Sequence, residues 1–168
     1  DTLVGGAGND TLNGGDEVSS SGGTYDADTL EGGAGNDTYI ADQSPDTIIE
    51  TADGGIDTVV ADFSYALGTN LERLTLIGPG AVNGSGNALA NQIVGSVANN
   101  VLLGADGADT LNGGAGGDTL NGGQGADLLT GGTQRDKLIP GNDSDPDVLV
   151  FNTLNDSTGV TRDVISGL

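Results

Sequence analysis

The stretch GADGADTLN-GGAGGDTLN-GGQGADLLT-GGTQRDKLI, residues 104–139, runs through one nine-residue pattern four times in unbroken phase. The pattern is G-G-x-G-x-D-x-U-x, where U is a large apolar residue. A unit of nine residues with one apolar side chain cannot bury that side chain by itself. It must lay it against the next copy, so a strict short period predicts a stacked solenoid. The phase matters as much as the composition, because slipping a strand by one residue would turn its apolar side chain to solvent.

Working outward, the same frame governs most of the chain. Clean copies are GGAGNDTLN at 5–13 and GGAGNDTYI at 32–40. Residues 14–22 keep the opening glycines but put Ser19 in the sixth place, and 23–31 regain Asp28 and Leu30. Residues 41–49 keep Asp46 and Ile48, and 50–60 resume at Asp57 after two extra residues. Residues 61–85 interrupt the pattern with Leu71, Leu74, Leu76 and Ile77, and with a turn at Gly78-Pro79-Gly80. This segment is too short for a core of its own and is expected to stack as irregular strands on the same rod. At 86–94 and 95–103 the nonads return with Asn91 and Asn100 in place of aspartate. Aspartate then returns at 109, 118, 127, 136 and 147, and Asp163-Val164-Ile165 echoes the repeat. The expected organisation is a repeat block at 1–60, calcium-poor middle coils at 61–103, a second block at 104–150, and a cap or the start of a further segment at 151–168.

Sixth-place carboxylates on glycine-built turns form a ladder of hard oxygen ligands, the donor set that calcium prefers. Composition agrees. The 168 residues include 32 Gly and 25 acidic residues against 4 basic ones, for a net charge of −21, with no Cys, His, Met or Trp. Missing cysteine excludes disulfides and thiolate zinc sites. Missing His and Cys exclude Ser-His-Asp and Cys-His catalysis. No glycine turn continues into the G-K-[ST] of a phosphate-binding loop. The negative charge repels nucleic acid, and no stretch approaches the roughly 20 apolar residues of a membrane span. So acidic a chain with so few aromatics is expected to be disordered until a cation neutralises it.

These nonapeptides resemble those of the RTX (repeats-in-toxin) family, closely over residues 1–60 and 86–150 and more loosely elsewhere. The resemblance implies an all-β fold, a right-handed parallel β-roll or β-helix with calcium ions between stacked turns. Places one to six would form the turn and seven to nine a short strand, with the eighth residue inward. Two nonads would make one coil of about 18 residues, giving roughly nine coils at a spacing of about 4.8 Å. Each ion would sit between a loop and the loop one coil above. The carboxylates implied as ligands are Asp1, Asp10, Asp28, Asp37, Asp46, Asp57, Asp106, Asp109, Asp118, Asp127, Asp136 and Asp147. The turn positions implied are Gly5, Gly6, Gly8, Gly32, Gly33, Gly35, Gly104, Gly107, Gly113, Gly114, Gly116, Gly122, Gly123, Gly125 and Gly131. Counting alternate repeats, Asp10, Asp28 and Asp46 should share one edge and Asp1, Asp37 and Asp57 the other, the latter broken at Ser19. In the second block the files should be Asp109, Asp127, Asp147 and Asp118, Asp136.

By the same resemblance the chain is a calcium-binding module, not itself an enzyme, of a larger secreted or cell-surface bacterial protein. Its opening in mid-repeat fits a piece of such a protein. Calcium, a type I export machinery and extracellular polysaccharide are the expected partners. The alternative is a structural or binding module of a surface-layer, adhesin or polysaccharide-active protein. The row of exposed aromatics that sugar stacking would favour is not evident in the sequence. Asn91 and Asn100 are expected to bond between coils as an amide ladder and not to hold ions.

Overall fold

The computed structural model of the chain describes residues 1–15, 27–42, 46–151 and 163–167. Among these the structure is all β, a parallel solenoid of about seven turns without a helix. Among the described residues no helix is long and apolar enough to cross a membrane.

Strands are numbered in chain order, and the two walls of the solenoid take alternate ones. One wall holds β2 (Thr11–Asn13), β4 (Thr38–Ala41), β6 (Thr58–Ala61), β8 (Arg73–Leu76), β10 (Gln92–Val94), β12 (Thr110–Asn112), β14 (Leu128–Thr130) and β16 (Val148–Val150) in one continuous parallel sheet. The other wall is split. Its first sheet has β1 (Thr2–Ala7), β3 (Thr29–Ala34) and β5 (Thr47–Ile49). Its second has β7 (Tyr65–Ala66), β9 (Gly84–Ser85), β11 (Val101–Asp106), β13 (Thr119–Gln124), β15 (Lys137–Gly141) and β17 (Val164–Ile165).

The eighth places pair coil to coil in register, as Leu111↔Leu129 and Leu102↔Leu120 show. Their side chains fill the interior: Leu12, Leu30, Tyr39, Val59, Leu74, Ile93, Leu102, Leu111, Leu120, Leu129 and Leu138 are all buried. One rung is glycine. A side chain at Gly84 would press on Leu74, Ile93 and Leu102, and Leu67, Leu71, Leu76 and Val82 are buried in the same core cluster. Residues 61–85 therefore do stack on the rod as expected, and Leu74, Leu76, Val82, Ile93 and Leu102 lie in its core.

Three expectations need correction. Roughly nine coils become about seven, because the coils are not uniform. Along the continuous wall the coil-to-coil advance is 27, 20, 15, 19, 18, 18 and 20 residues. A first coil of three nonads shifts the alternation of the loops by one, with consequences for the N-terminal files given below. Finally, the turn does not always fill places one to six. In β1, β3, β11 and β13 the strand runs on through the third place, because parallel pairing continues at Gly6↔Gly33 and Ala105↔Gly123.

Candidate metal centre

Each loop delivers its sixth-place side chain inward, just before the strand begins. Asp28, Asp37, Asp57, Asp109, Asp118, Asp127 and Asp136 are buried, as are Asn91 and Asn100. Burying seven carboxylates in so basic-poor a chain is costly unless something compensates them.

Half of each carboxylate is compensated by the backbone. Oδ1 accepts the main-chain N–H of the sixth-place residue one coil earlier: Asp127 from Asp109 at 2.8 Å, Asp136 from Asp118 at 2.7 Å, Asp57 from Asp37 at 2.7 Å. These bonds define two files. One runs Asp10, Asp37, Asp57, Glu72 and, past Asn91, Asp109, Asp127 and Asp147. The other holds Asp1, Asp28 and Asp46 on the first sheet, and Asn100, Asp118, Asp136 and Asp163 on the second. The C-terminal files are those expected from the sequence. The N-terminal ones are not: Asp10 stacks with Asp37 and Asp57, and Asp28 and Asp46 with Asp1. The 27-residue first coil exchanges the partners. Ser19, the expected break in a file, lies outside the described residues. Asp106 is exposed at the end of β11 rather than in the inner file.

The second oxygen is different. Oδ2 of Asp10, Asp37, Asp57, Asp109, Asp118 and Asp127 is fully enclosed and accepts no hydrogen bond. Except in Asp57, it faces the first glycine of its own loop, where a Cβ at Gly104, Gly113 or Gly122 would collide with it. The same face of those glycines meets the carbonyl oxygen of the loop one coil on: Gly122 over Gly104, Gly131 over Gly113, Pro140 over Gly122. Oxygens from two successive coils thus converge where only glycine leaves room.

The asparagine loops show what the aspartate loops lack. Asn91 and Asn100 Oδ1 take the N–H of the second place in their own loops, Asn87 at 2.7 Å and Ser96 at 2.8 Å. Their Nδ2 groups donate one coil back, Asn91 to Leu71 and Asn100 to Val82 carbonyls. This is the amide ladder expected from the sequence. In the aspartate loops the second place has positive φ, 91° at Gly114, 113° at Gly123 and 90° even at Ala105. Asn87 and Ser96 do not. The peptide joining places one and two is turned over, and its N–H no longer serves the side chain.

Burial pushes the carboxyls of Asp109 and Asp118 up to about 6 against the pull of the backbone N–H each accepts. Burial raises Asp127 too. Asp57 is also pushed to about 6 by burial, with the charges of Glu50, Glu72 and Asp37 adding to it. All-oxygen donors, bare buried anionic oxygens and carbonyls on the same side suit a hard divalent cation such as calcium.

Two carboxylates in this scheme escaped sequence reasoning. Glu72 stands in a sixth place, accepting the Asp57 N–H at 2.9 Å, in a loop without the glycine pattern. The signal was Leu74 two residues later, in the eighth place. Glu50 is buried beside Asp37 and Asp57, and the three carboxylates bring ligand oxygens within 4.8 Å of one another. No repeat position pointed to it.

The chain's relationships agree with this geometry. The RTX calcium-binding nonapeptide repeat matches in four copies, at residues 1–17, 23–48, 85–120 and 112–145, more than half of the chain. The chain belongs to that family. It is an RTX β-roll, a structural calcium-binding module and not a catalytic fold. Among curated proteins none matches it.

Proposed function

We infer that this module folds on calcium, and that the sixth-place aspartates with the glycine-turn carbonyls are its ligands. The observation that carries the reading is the enclosed Oδ2 without a donor, present in the aspartate loops and replaced by a satisfied amide in the asparagine loops. Without a cation those oxygens repel one another inside the rod. With one, binding free energy becomes folding free energy. The inner files would hold ions through residues 1–60 and 104–150, while the asparagine coils between them hold few or none, since a neutral amide offsets no charge.

The setting follows from the same reading. A chain with a net charge of −21 that stays unfolded at low calcium and orders at high calcium suits export followed by folding outside the cell. The parent would be a larger secreted or surface protein, exported by a type I system as is usual in the family, with this module giving it calcium-dependent stability. Circular dichroism in chelator and then in calcium tests the central claim. The expected result is little β signal in chelator and recovery with calcium, with magnesium a poor substitute because it keeps its water and demands octahedral geometry. A full β spectrum in chelator would overturn it.

A further inference from the structure

The loop of residues 50–57 departs from the nonapeptide, and its departure is chemical. Glu50 enters from the end of β5 and is buried at 9% exposure, while Asp37 and Asp57 are buried at 1% and 0%. Among the described residues this is the one place where three carboxylates converge, their ligand oxygens within 4.8 Å. Oxygens this close can share one ion, and an all-carboxylate set suits calcium, which takes roughly 6–8 oxygen ligands at about 2.3–2.6 Å in flexible geometry. Asp37 Oδ2 and Asp57 Oδ2 are enclosed and accept no hydrogen bond. Glu50 is held in place: Tyr39 Oη donates to its Oε2, and the Thr51 N–H donates to Oε1 at 2.7 Å. The phenol is held in turn by the Gly32 N–H at 2.9 Å. On the side where Gly54 lacks a Cβ, Glu50 Oε1 and the Gly33 carbonyl oxygen face the same space.

We propose that Asp37, Glu50 and Asp57 form a three-carboxylate calcium site, positioned by Tyr39, that binds more tightly than the repeat sites and fills first. The charge count is the reason. Calcium affinity rises with the number of anionic ligands and with the rigidity of the site, and here a third carboxylate is pinned by two donors. Three buried carboxylates without a cation among them also make this the coil most opposed to folding in metal-free solution. Filling it would fasten the 27-residue first coil to the middle of the rod. The proposal rests on the calcium reading above only in that Asp37 and Asp57 also belong to the repeat ladder; Glu50 does not.

Tyr39 supplies the test, because the chain has no Trp and three Tyr. Terbium(III), an oxygen-seeking ion of calcium's size, emits when an adjacent tyrosine is excited. Titrating the whole chain should give a tyrosine-sensitised phase that saturates before total binding measured by calorimetry, and that calcium displaces. Glu50→Gln should raise the midpoint of that phase at least ~10-fold and leave later binding in place. Tyr39→Phe, which keeps all three carboxylates but removes one of the two donors that pin Glu50, should remove most of the emission and weaken the first-filling phase seen by calorimetry while later binding stays in place, and decides the matter even if Glu50→Gln folds poorly. An unshifted sensitised phase in Glu50→Gln, or persistent emission in Tyr39→Phe, overturns the site while leaving the repeat ladder standing. A wild-type chain that binds no calcium at all would remove both.

Discussion

The loops at 104–136 and those at 86–100 are two versions of one turn. Both put the sixth residue inside the rod, against the first glycine of the loop, and both stack in register on the coil before. They differ in one atom of the side chain and in one peptide plane. Asparagine closes its hydrogen bonds within the protein: Asn100 accepts from Ser96 and donates to Val82. Aspartate, with the preceding peptide turned over at Gly114 or Gly123, leaves a buried anionic oxygen open. On the proposed calcium reading, the comparison teaches that the carboxylate alone does not make the site. The second-place backbone has to release its N–H as well, and in all but one of the regular copies glycine does so at no steric cost.

The most forceful way to break the comparison is to withdraw the metal. In chelator, amide hydrogen exchange should lose protection in the coils at 104–147 by several orders of magnitude, with residual protection concentrated at 71–103. Equal loss across both regions would show that amide and aspartate coils are one cooperative unit.

Next in size is Asp127→Ala. It removes the acceptor of the Asp109 N–H and an oxygen facing the Pro140 carbonyl side of the loop. Orphaning that buried N–H costs about 1–3 kcal/mol before any ion is counted. Calcium titration should show a raised midpoint and a lower ion count, whereas a wild-type titration would remove Asp127 from the ladder.

Converting one loop into the other sharpens the comparison further. Asn100→Asp alone should destabilise the chain in chelator by about 1–3 kcal/mol, because an oxygen replaces the donor that faces Val82. It should add no ion, since Ser96 keeps its N–H on the side chain. Asn100→Asp combined with Ser96→Gly should add one, countable by equilibrium dialysis. An extra ion in the single variant would show that the peptide plane follows the carboxylate.

The smallest effect is that of pH. Burial holds Asp57, Asp109 and Asp118 near 6 in the folded state, above the ~3.9 of an exposed aspartate. The folded form therefore binds more protons between those values. Whatever stability the protonated groups contribute is complete below about 4 and is lost as pH rises through about 6. Metal-free chain should accordingly show more β signal at pH 5.5 than at pH 8, and the calcium midpoint should be higher at pH 5.5 because protons compete. A pH-independent midpoint would contradict the burial of these groups.

Much of this was legible in the sequence where the period is strict. The C-terminal files, the inward eighth-place leucines and the amide role of Asn91 and Asn100 follow from counting in nines. Counting failed where the chain stops being uniform. Uniform coils of about 18 residues would pair Asp10 with Asp28, and an advance of 27 residues moves the partner to Asp37. Glu72 is hidden from the motif because its loop has one glycine, although Asn70 takes the φ of 63° that the fourth place needs.

The sequence by itself determined the kind of object: a nine-residue period with one apolar and one acidic position can only bury the first and present the second by stacking. Only the tertiary structure decided which acids meet. Contacts in a solenoid run between coils, so partners are set by how many residues each coil consumes, and insertions change that number without altering the motif. Nor could the motif show that each aspartate spends one oxygen on the backbone and keeps one bare, or that Glu50 folds back onto Asp37 and Asp57. Those depend on peptide orientation and on distances across coils, and neither is written in the spacing of residues along the chain.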